Sequence, residues 1–530
     1  MFDYIVIGAG SAGCVLANRL SANPANSVLL LEAGPKDANP MIHMPGGCAE
    51  VLKSDRLNWK FVSTPQKNLQ DRQYEIPRGK TLGGSSAANG MVYIRGHASD
   101  YDDWARAGNE GWSYQNVLPY FRRFEDFNRG ENEYHGSGGE LYVGEAPGDN
   151  PLFDRFIAAG EELGFPRLDD FNGAQQEGFG RFHATIKNGK RWSSARAFLT
   201  PVKERGNLTI ITGALVSKIR LADGRAVAVQ YTKGKKQHEV HANKEIIISA
   251  GAIKSPHILQ LSGIGDADDL RQAGITTQHE LPGVGKNLQE HLDLVLRYAC
   301  TQPITLNGMD RFPHNLKVAW DYFVHKKGIA ACNNIEAGAF VKSRPDLSRP
   351  DIQLHFVPCN MTGLTDKLPA QHGVTVHACN LRPKSCGSIR PLSADPAARP
   401  EVDFNFLDSE EDWQVMHDAF KLLRNLMQAN AWNNLISEEI SPGLSIQTEQ
   451  DFRQNIGRIT ETVYHPVGTC KMGNDATSVV DARLRVHGIE GLRVADASIM
   501  PGLIGGNTNA PAMMIGDKCA DMILADNQSG

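Results

Sequence analysis

The chain has 530 residues, more than one ordinary hydrophobic core accommodates, so we expect two domains or one large domain with a substantial insertion. A net charge of −5 gives no reason to propose nucleic acid or an anionic membrane as a partner, and nine cysteines without a C-x-x-C pair predict no structural metal site. The longest apolar runs are strand-sized and no signal-like segment precedes the first strand. The sequence therefore predicts no transmembrane segment and a cytoplasmic location.

The first thirty-odd residues form one recognisable unit. A β-prone run at 2–7 stops at the turn Gly8-Ala9-Gly10-Ser11-Ala12-Gly13, and apolar spacing then predicts a helix through Leu20. A second apolar strand at 27–31 ends on Glu32, which Ala33 follows. Strand, glycine turn, helix, strand and acid in this order are typical of a βαβ unit that binds an adenine dinucleotide.

Each part of this unit has a physical role. Gly8 permits the sharp turn, Gly10 lets the backbone approach a pyrophosphate, and Gly13 lets helix and strand pack closely. The helix N-terminus at Ser11 and Ala12 offers unpaired N–H groups and the positive end of the helix dipole to the phosphates. The Glu32 carboxylate accepts hydrogen bonds from a ribose hydroxyl pair and repels a 2′-phosphate, so NADP is disfavoured.

A second glycine-rich stretch covers residues 78–96 and suits a backbone that lies against a large flat ligand. Its Gly79-Lys80-Thr81 triplet superficially resembles a P-loop, but Tyr74 stands where the leading glycine is required, which argues against nucleotide hydrolysis. No G-x-S-x-G elbow supports a hydrolase either.

Strand-like runs dominate the middle of the chain. Runs at 208–211, 214–221 and 226–231 predict a β-meander over the adenine end of the cofactor, with Asp223-Gly224 as a hairpin turn. A buried-type strand at 245–248 fits the first parallel sheet. Between 301 and 450 the motif density falls, and runs at 352–357 and 374–379 predict a second, sheet-based domain.

The last part of the chain is again rich in motifs. It carries His465 in a Tyr-His-Pro sequence, a strand at 492–495 that ends in Asp496 as a cofactor contact at the sheet edge, and an apolar helix at 511–525. These features predict that the C-terminal segment returns to the first domain, which is therefore discontinuous in sequence.

Together these blocks resemble the glucose–methanol–choline (GMC) oxidoreductases over essentially the whole chain. The turn at 8–32, the loops at 79–96 and 251–265, and His465 with Asn509 carry the resemblance, which is strongest to bacterial FAD-dependent alcohol dehydrogenases and choline-dehydrogenase-type members. The resemblance implies an α/β (mixed α+β) fold with a Rossmann-like FAD-binding domain and a sheet-based substrate-binding domain. We assign 1–155, 190–305 and 455–530 to the first, and 156–189 and 306–454 to the second.

The resemblance also implies further cofactor contacts. They follow the flavin, the adenine side, the ribityl-pyrophosphate part and the start of the last helix: Gly84, Ser85, Asn89, Gly90, Met91, Val92, Val216, Asp496, Ala497, Ala510 and Pro511. Ala88 occupies the position where some relatives carry a histidine bound covalently to the flavin. We therefore expect dissociable FAD.

Alcohol oxidation removes the hydroxyl proton while hydride leaves for flavin N5. A histidine suits the proton step because its pKa lies near neutrality, so we predict His465 as general base and Asn509 as the residue that holds the substrate oxygen of a primary alcohol. Four other histidines are interpreted as structural: His291, His355, His377 and His487. Glu336 resembles a substrate-side glutamate of choline-type relatives, but an acid near a turn is usually solvated.

Several alternatives stay open from the sequence. The electron acceptor is O₂, a quinone or another carrier, and the substrate is an aliphatic, aromatic or polyol alcohol or choline. A quinone-linked enzyme would sit peripherally on the inner membrane. Cys379 before Arg382 faintly points to a light-driven fatty-acid decarboxylase. This alternative is disfavoured, because those photoenzymes lack the catalytic histidine and asparagine, whereas this chain has both His465 and Asn509. The presence of the same two residues also argues against a non-catalytic flavin-binding protein.

Overall fold

The structure is a computed structural model that describes residues 1–527. The α-helices are α1 (Ser11–Leu20), α2 (Pro40–His43), α3 (Cys48–Lys53), α4 (Ala98–Arg106), α5 (Tyr114–Phe124), α6 (Leu152–Glu162), α7 (Gly251–Leu261), α8 (Ala267–Gln272), α9 (His314–His325), α10 (Glu410–Met427), α11 (Glu449–Asn455) and α12 (Asn509–Asp526). Within residues 1–527, none of them combines the length and apolar character needed to cross a bilayer.

The strands are β1 (Phe2–Ile7), β2 (Val28–Glu32), β3 (Phe61–Val62), β4 (Glu75–Ile76), β5 (Glu125–Phe127), β6 (Leu141–Glu145), β7 (Arg167–Leu168), β8 (Gly178–Arg181), β9 (His183–Ala184), β10 (Ile186–Lys187), β11 (Lys190–Arg191), β12 (Leu208–Thr212), β13 (Ala214–Ala222), β14 (Arg225–Lys233), β15 (Lys236–Ile248), β16 (Ile264–Gly265), β17 (His279–Glu280), β18 (Leu292–Cys300), β19 (Ala337–Val341), β20 (Ile352–Val357), β21 (Gly373–Asn380), β22 (Ser388–Arg390), β23 (Glu401–Asp403), β24 (Ile436–Ser441), β25 (Thr460–Thr462) and β26 (Leu492–Val494). The mixed α/β class agrees with the prediction.

The first sheet has a parallel core in the order β12-β2-β1-β15-β26. Ile5 pairs with Leu29 of β2 on one side and Ile246 of β15 on the other. All five residues of β2 are buried, as expected for a parallel strand covered on both faces. This confirms the predicted βαβ unit and places the strand predicted at 245–248 next to β1.

The antiparallel meander consists of β13, β14 and the first half of β15, whose second half continues into the parallel core. The assignment of residues 208–211 to this meander was wrong, because Leu208–Thr212 pairs in parallel with β2 at the edge of the first sheet. Strand propensity does not distinguish a meander strand from a parallel edge strand when the intervening loop is short.

The second sheet has eight strands in the order β24-β18-β21-β20-β19-β8-β7, with β25 also paired to β18. Helices α6 and α10 contribute to the apolar core that this sheet buries. Strands β18 and β25 belong to this sheet although the predicted boundaries at 305 and 455 assign them to the first domain. The division of the remaining chain into two units stays a prediction.

Helix α12 packs along α1 and so brings the C-terminal segment back to the first sheet. Gly516 makes this approach possible, because a Cβ there would lie 2.6 Å from the Ala12 carbonyl oxygen. The helix predicted at 511–525 begins two residues earlier, at Asn509.

Candidate active site

A cavity of about 1110 Å³ is lined by residues of both sheets. This volume exceeds the ~300–1,000 Å³ of typical small-ligand pockets, so it has room for a dinucleotide and a substrate. Most of the predicted cofactor contacts lie on its wall: Gly8, Gly10, Ser11, Ala12, Glu32, Ala33, Gly84, Ser85, Asn89, Gly90, Met91, Val92, Val216, Asp496 and Ala497. Gly13, Ala510 and Pro511 do not line it, and they lie in the first turns of α1 and α12.

The glycine turn has the shape that a pyrophosphate requires. Gly8 has φ +96°, and a Cβ there would lie 2.6 Å from the Ser249 carbonyl oxygen. A Cβ on Gly13 would lie 1.9 Å from the Gly8 carbonyl oxygen, so the helix packs directly on the turn. A Cβ on Gly10 would meet its nearest protein atom only at 3.8 Å. Gly10 is therefore constrained by the space that a ligand takes rather than by protein packing, and the residues present fit a dinucleotide.

The contrast between Gly13 and Gly10 makes a matched pair of variants. Gly13→Ala is expected to destabilise the fold by about 3 kcal/mol or more. The new Cβ would clash with the Gly8 carbonyl oxygen, and neither the helix nor the turn can move apart without breaking the βαβ unit. Gly10→Ala is expected to leave the melting temperature of the cofactor-free protein unchanged but to lower its FAD content. Thermal unfolding and flavin absorbance of both purified variants check this, and equal thermal stability of the two would contradict it.

Glu32 braces the turn from the end of β2. One carboxylate oxygen accepts the Ala9 N–H at 2.9 Å and the other accepts the Gly34 N–H at 2.7 Å. Burial raises the pKa of Glu32 to about 7. A carboxylate has about four acceptor positions, so two bonds to the backbone leave capacity for a ribose hydroxyl pair.

Asp496 plays a similar bracing role at the end of β26. Its carboxylate accepts the Gly251 N–H at 2.8 Å and the Ser255 hydroxyl at 2.5 Å, which ties the strand to the start of α7. On the opposite loop, Asn89 is held by Arg191, whose guanidinium donates to the Asn89 carbonyl and side-chain oxygens at 2.6 and 2.8 Å. Contacts within the protein thus hold this loop in place.

His465 lies at the cavity wall in a chain of hydrogen bonds that determines its tautomer. The Ile504 carbonyl oxygen lies 3.1 Å from His291 Nε2, so this nitrogen carries the proton and donates. His291 Nδ1 is then an acceptor for His465 Nδ1, 3.1 Å away. This assignment leaves the lone pair of His465 Nε2 on the cavity side of the chain.

Asn507, and not Asn509, is the asparagine next to this nitrogen. Its Nδ2 lies 3.2 Å from His465 Nε2, and its Oδ1 accepts from Gln353 Nε2 at 3.1 Å, which fixes the orientation of the amide. The Asn509 Oδ1 instead accepts the Ser11 hydroxyl at 2.7 Å, at the start of α1. Asn509 therefore does not hydrogen-bond to His465, but both residues line the cavity, and the catalytic role expected for Asn509 stays a prediction.

The surroundings keep His465 neutral. Burial, together with His291, His355 and Arg78, lowers the pKa of His465 well below its ordinary value of 6.5. Glu290 holds the backbone in place, because one of its oxygens accepts both the His465 N–H at 2.8 Å and the His291 N–H at 2.9 Å. Burial raises the pKa of Glu290 to about 7.

His291 and Glu290 were missed as site residues by the sequence analysis, which interpreted His291 as structural. His355 and His377, also interpreted as structural, line the cavity, and His377 Nδ1 lies 2.6 Å from Asp293 Oδ2. His487 bonds the Gly473 carbonyl away from the cavity wall. The only sequence signal for His291 is its place after the glycine turn at 283–285.

Glu336 is fully buried, not solvated, and it does not line the cavity. Its carboxylate lies 3.5 Å from the Arg181 guanidinium, and burial raises its pKa to about 7.

No group of three or more histidine, cysteine or acidic side chains within residues 1–527 is arranged to hold a metal ion.

Comparison with known proteins identifies the family. Residues 2–293 and 383–516 match the GMC oxidoreductase family. The chain belongs to the GMC oxidoreductase family. It is 45% identical over 528 residues to an alcohol dehydrogenase (acceptor) of Pseudomonas putida, covering 99% of this chain and 96% of that protein. It is 46% identical over 529 residues to an oxygen-dependent choline dehydrogenase of Escherichia coli K12, covering 98% and 95%.

Solved structures show the same GMC fold. Pyridoxine 4-oxidase from Mesorbium loti has a TM-score of 0.90 at 31% identity and covers 98% of this chain and 99% of its own. Formate oxidase from Aspergillus oryzae has a TM-score of 0.93 at 25% identity and covers 100% and 99%. This GMC member is an FAD-dependent enzyme that acts on CH–OH donors, and the residues of the dinucleotide cradle fit that cofactor.

Proposed function

We propose that this GMC oxidoreductase oxidises a primary alcohol to the aldehyde, with His465 as the base. The observation that carries this proposal is the hydrogen-bond chain from the Ile504 carbonyl through His291, because it leaves the buried His465 Nε2 unprotonated at the cavity wall. FAD, when bound, accepts the hydride that leaves the alcohol carbon.

The protein's own residues handle the proton and the oxygen. His465 Nε2 takes the hydroxyl proton while the carbon–oxygen double bond forms, which is general base catalysis. In the structure the Nε2 lone pair accepts from the Asn507 amide, so this N–H turns from Nε2 to the substrate oxygen when the alcohol binds, which frees the lone pair for the hydroxyl proton. Asn507 thus takes the role that sequence reasoning gave to Asn509, and Asn509 instead fixes the pyrophosphate end through Ser11.

The wall contributed by the second sheet and its loops favours a neutral alcohol with an apolar body. It carries apolar side chains at Val295, Leu306, Val357, Met361, Leu364 and Leu368. Two carboxylates on this wall are paired with cationic or imidazole groups, Asp293 with His377 and Glu461 with Arg72. A third, Asp366, accepts the Thr362 hydroxyl at 2.7 Å. Choline is the second candidate, because these carboxylates are the groups that would attract its cation.

A substrate panel with a soluble dye as electron acceptor tests this proposal. We expect kcat/KM to be highest for straight-chain primary alcohols such as 1-octanol, lower for choline and lowest for polyols. A parallel oxygen-consumption assay separates an oxidase from a dehydrogenase. A kcat/KM higher for choline than for every neutral alcohol would overturn the substrate assignment and leave the chemistry intact.

We also propose that FAD is held without a covalent bond. Ala88 on the cavity wall has only a methyl group, and its carbonyl oxygen accepts the Cys48 thiol at 2.7 Å. Acid precipitation should therefore release all of the flavin.

The decarboxylase alternative finds no support at the cavity wall, because the Cys379 thiol faces Asp293 and Arg382 is bound to Asp100.

The lowered pKa of His465 predicts an unusual pH profile. Because the neutral imidazole is favoured, the base is ready at pH 8 and stays ready as the pH falls through 6.5, so kcat/KM should not decline there on account of His465. Glu290 titrates near pH 7, and Glu290→Gln separates its contribution. A tenfold loss per pH unit below pH ~7 that persists in this variant would contradict the neutral base.

A further inference from the structure

Helix α9 carries an apolar surface that no other described part of the protein covers. Ten large apolar side chains are exposed within residues 1–527, and five of them lie between 312 and 324 with exposures of 52 to 78%: Phe312, Leu316, Trp320, Phe323 and Val324. Positions 316, 320, 323 and 324 follow the i, i+4, i+7, i+8 pattern of one helix face. This set is called the α9 stripe below.

The opposite face of α9 anchors the helix to the protein. Tyr322 is buried and Val318 packs beside it, against Met44, Ala330 and Ala331. The α9 stripe therefore points away from the body of the protein. A contiguous exposed apolar surface of this kind, rimmed by charge, marks an interaction site.

Basic residues flank the α9 stripe along the sequence. Arg311 precedes the helix, Lys317 lies beside the stripe, and Lys326 and Lys327 follow the helix. The stretch from 310 to 327 contains these four basic residues and two acidic residues, Asp310 and Asp321. Asp321 is paired with Lys317 at 2.7 Å. This stretch has an excess of positive charge although the whole chain has a net charge of −5, so the net charge of the chain does not reveal it.

Both ends of α9 lead to the cavity. Arg311 donates to the Leu368 carbonyl oxygen at 3.3 Å, and Leu368 lines the cavity. After the helix, the chain reaches the wall again at Asn333, Asn334 and Ile335. A surface bound through the α9 stripe would lie beside the substrate end of the site.

We propose that the α9 stripe docks this enzyme on the surface of an anionic phospholipid bilayer. Tryptophan, phenylalanine and leucine on one face with flanking lysines are the composition of a helix that lies in the membrane interface. The lysines supply attraction to anionic headgroups, and the apolar side chains enter the acyl boundary. Docking there delivers apolar alcohols from the lipid and gives access to a lipid-soluble electron acceptor. This surface does not depend on the proposed catalytic residues.

Vesicle flotation of the FAD-loaded protein tests the proposal. Vesicles of equal parts phosphatidylglycerol and phosphatidylcholine should carry the protein upward, and partitioning should fall about tenfold or more in pure phosphatidylcholine or at 1 M salt. The double variant L316E/F323E should lose binding to a similar degree. The control L392E/L444E makes the same charge change at side chains that are 62% and 74% exposed elsewhere, and it should float like wild type.

Dye-linked alcohol oxidation and flavin content should be equal in wild type and both double variants, so a failed docking test is distinct from a failed catalytic proposal. The proposal is overturned if wild type stays at the bottom of the gradient with phosphatidylglycerol vesicles, or if both double variants lose binding equally. Sedimentation velocity provides a further outcome. If L316E/F323E converts a wild-type dimer to a monomer without vesicle binding, the stripe is an interface between two copies and the bilayer proposal fails.

Discussion

Replacing His465 with glutamine is expected to slow flavin bleaching by a primary alcohol about 10²–10⁴-fold. Glutamine keeps a polar group beside His291 but has no basic nitrogen, so the hydroxyl proton has no acceptor while the hydride leaves. The FAD content should not change, because the cradle is built from the glycine turn, Glu32 and Asp496 on other segments. Stopped-flow absorbance under anaerobic conditions measures the rate.

The control for this variant is His487→Gln, which removes an imidazole that bonds the Gly473 carbonyl away from the cavity. It should bleach at the wild-type rate. If H465Q bleached within a few-fold of wild type while retaining FAD, another group would have to take the proton and the proposed base would be rejected.

Asn507→Ala and Asn509→Ala are expected to fail in different ways although the two residues are separated by only one position. N507A should lower kcat about 10²–10³-fold with normal FAD content, because it removes the amide donor beside His465 Nε2. N509A should leave kcat near wild type at saturating FAD and weaken FAD binding, because its Oδ1 holds the Ser11 hydroxyl at the start of α1.

Two readouts separate these effects: kcat with added FAD, and the FAD dissociation constant from quenching of flavin fluorescence. Each variant serves as the other's control, since both remove the same amide from the same segment. A large loss of kcat in N509A with none in N507A would restore the pairing expected from the sequence and contradict the geometry described here.

The dinucleotide cradle was predictable from the sequence because backbone sterics impose it. Only glycine tolerates the contacts at Gly8 and Gly13, where a Cβ would lie 2.6 and 1.9 Å from a carbonyl oxygen, so the spacing itself carries the structure. Glu32 was predictable as a cavity residue because it is the last residue of β2, and the end of this strand lies at the cavity.

The catalytic end was predictable only in part. Asn507 and Asn509 flank Thr508, and which amide turns towards His465 depends on where α12 begins. Helix α12 starts at Asn509, which directs that residue to Ser11 and leaves Asn507 in the preceding loop to meet His465. A one-dimensional pattern does not encode this register. The roles of His291 and Glu290 depend on contacts across more than 170 residues of sequence.

The measurement that tests the central claim most directly is anaerobic single-turnover bleaching of the FAD-loaded enzyme by 1-octanol and by its 1,1-dideuterated form. If His465 is the base, both alcohols bleach the flavin, the deuterated alcohol does so more slowly, and H465Q loses this bleaching. Absence of bleaching by any primary alcohol, or a wild-type rate in H465Q, would contradict hydride transfer assisted by His465.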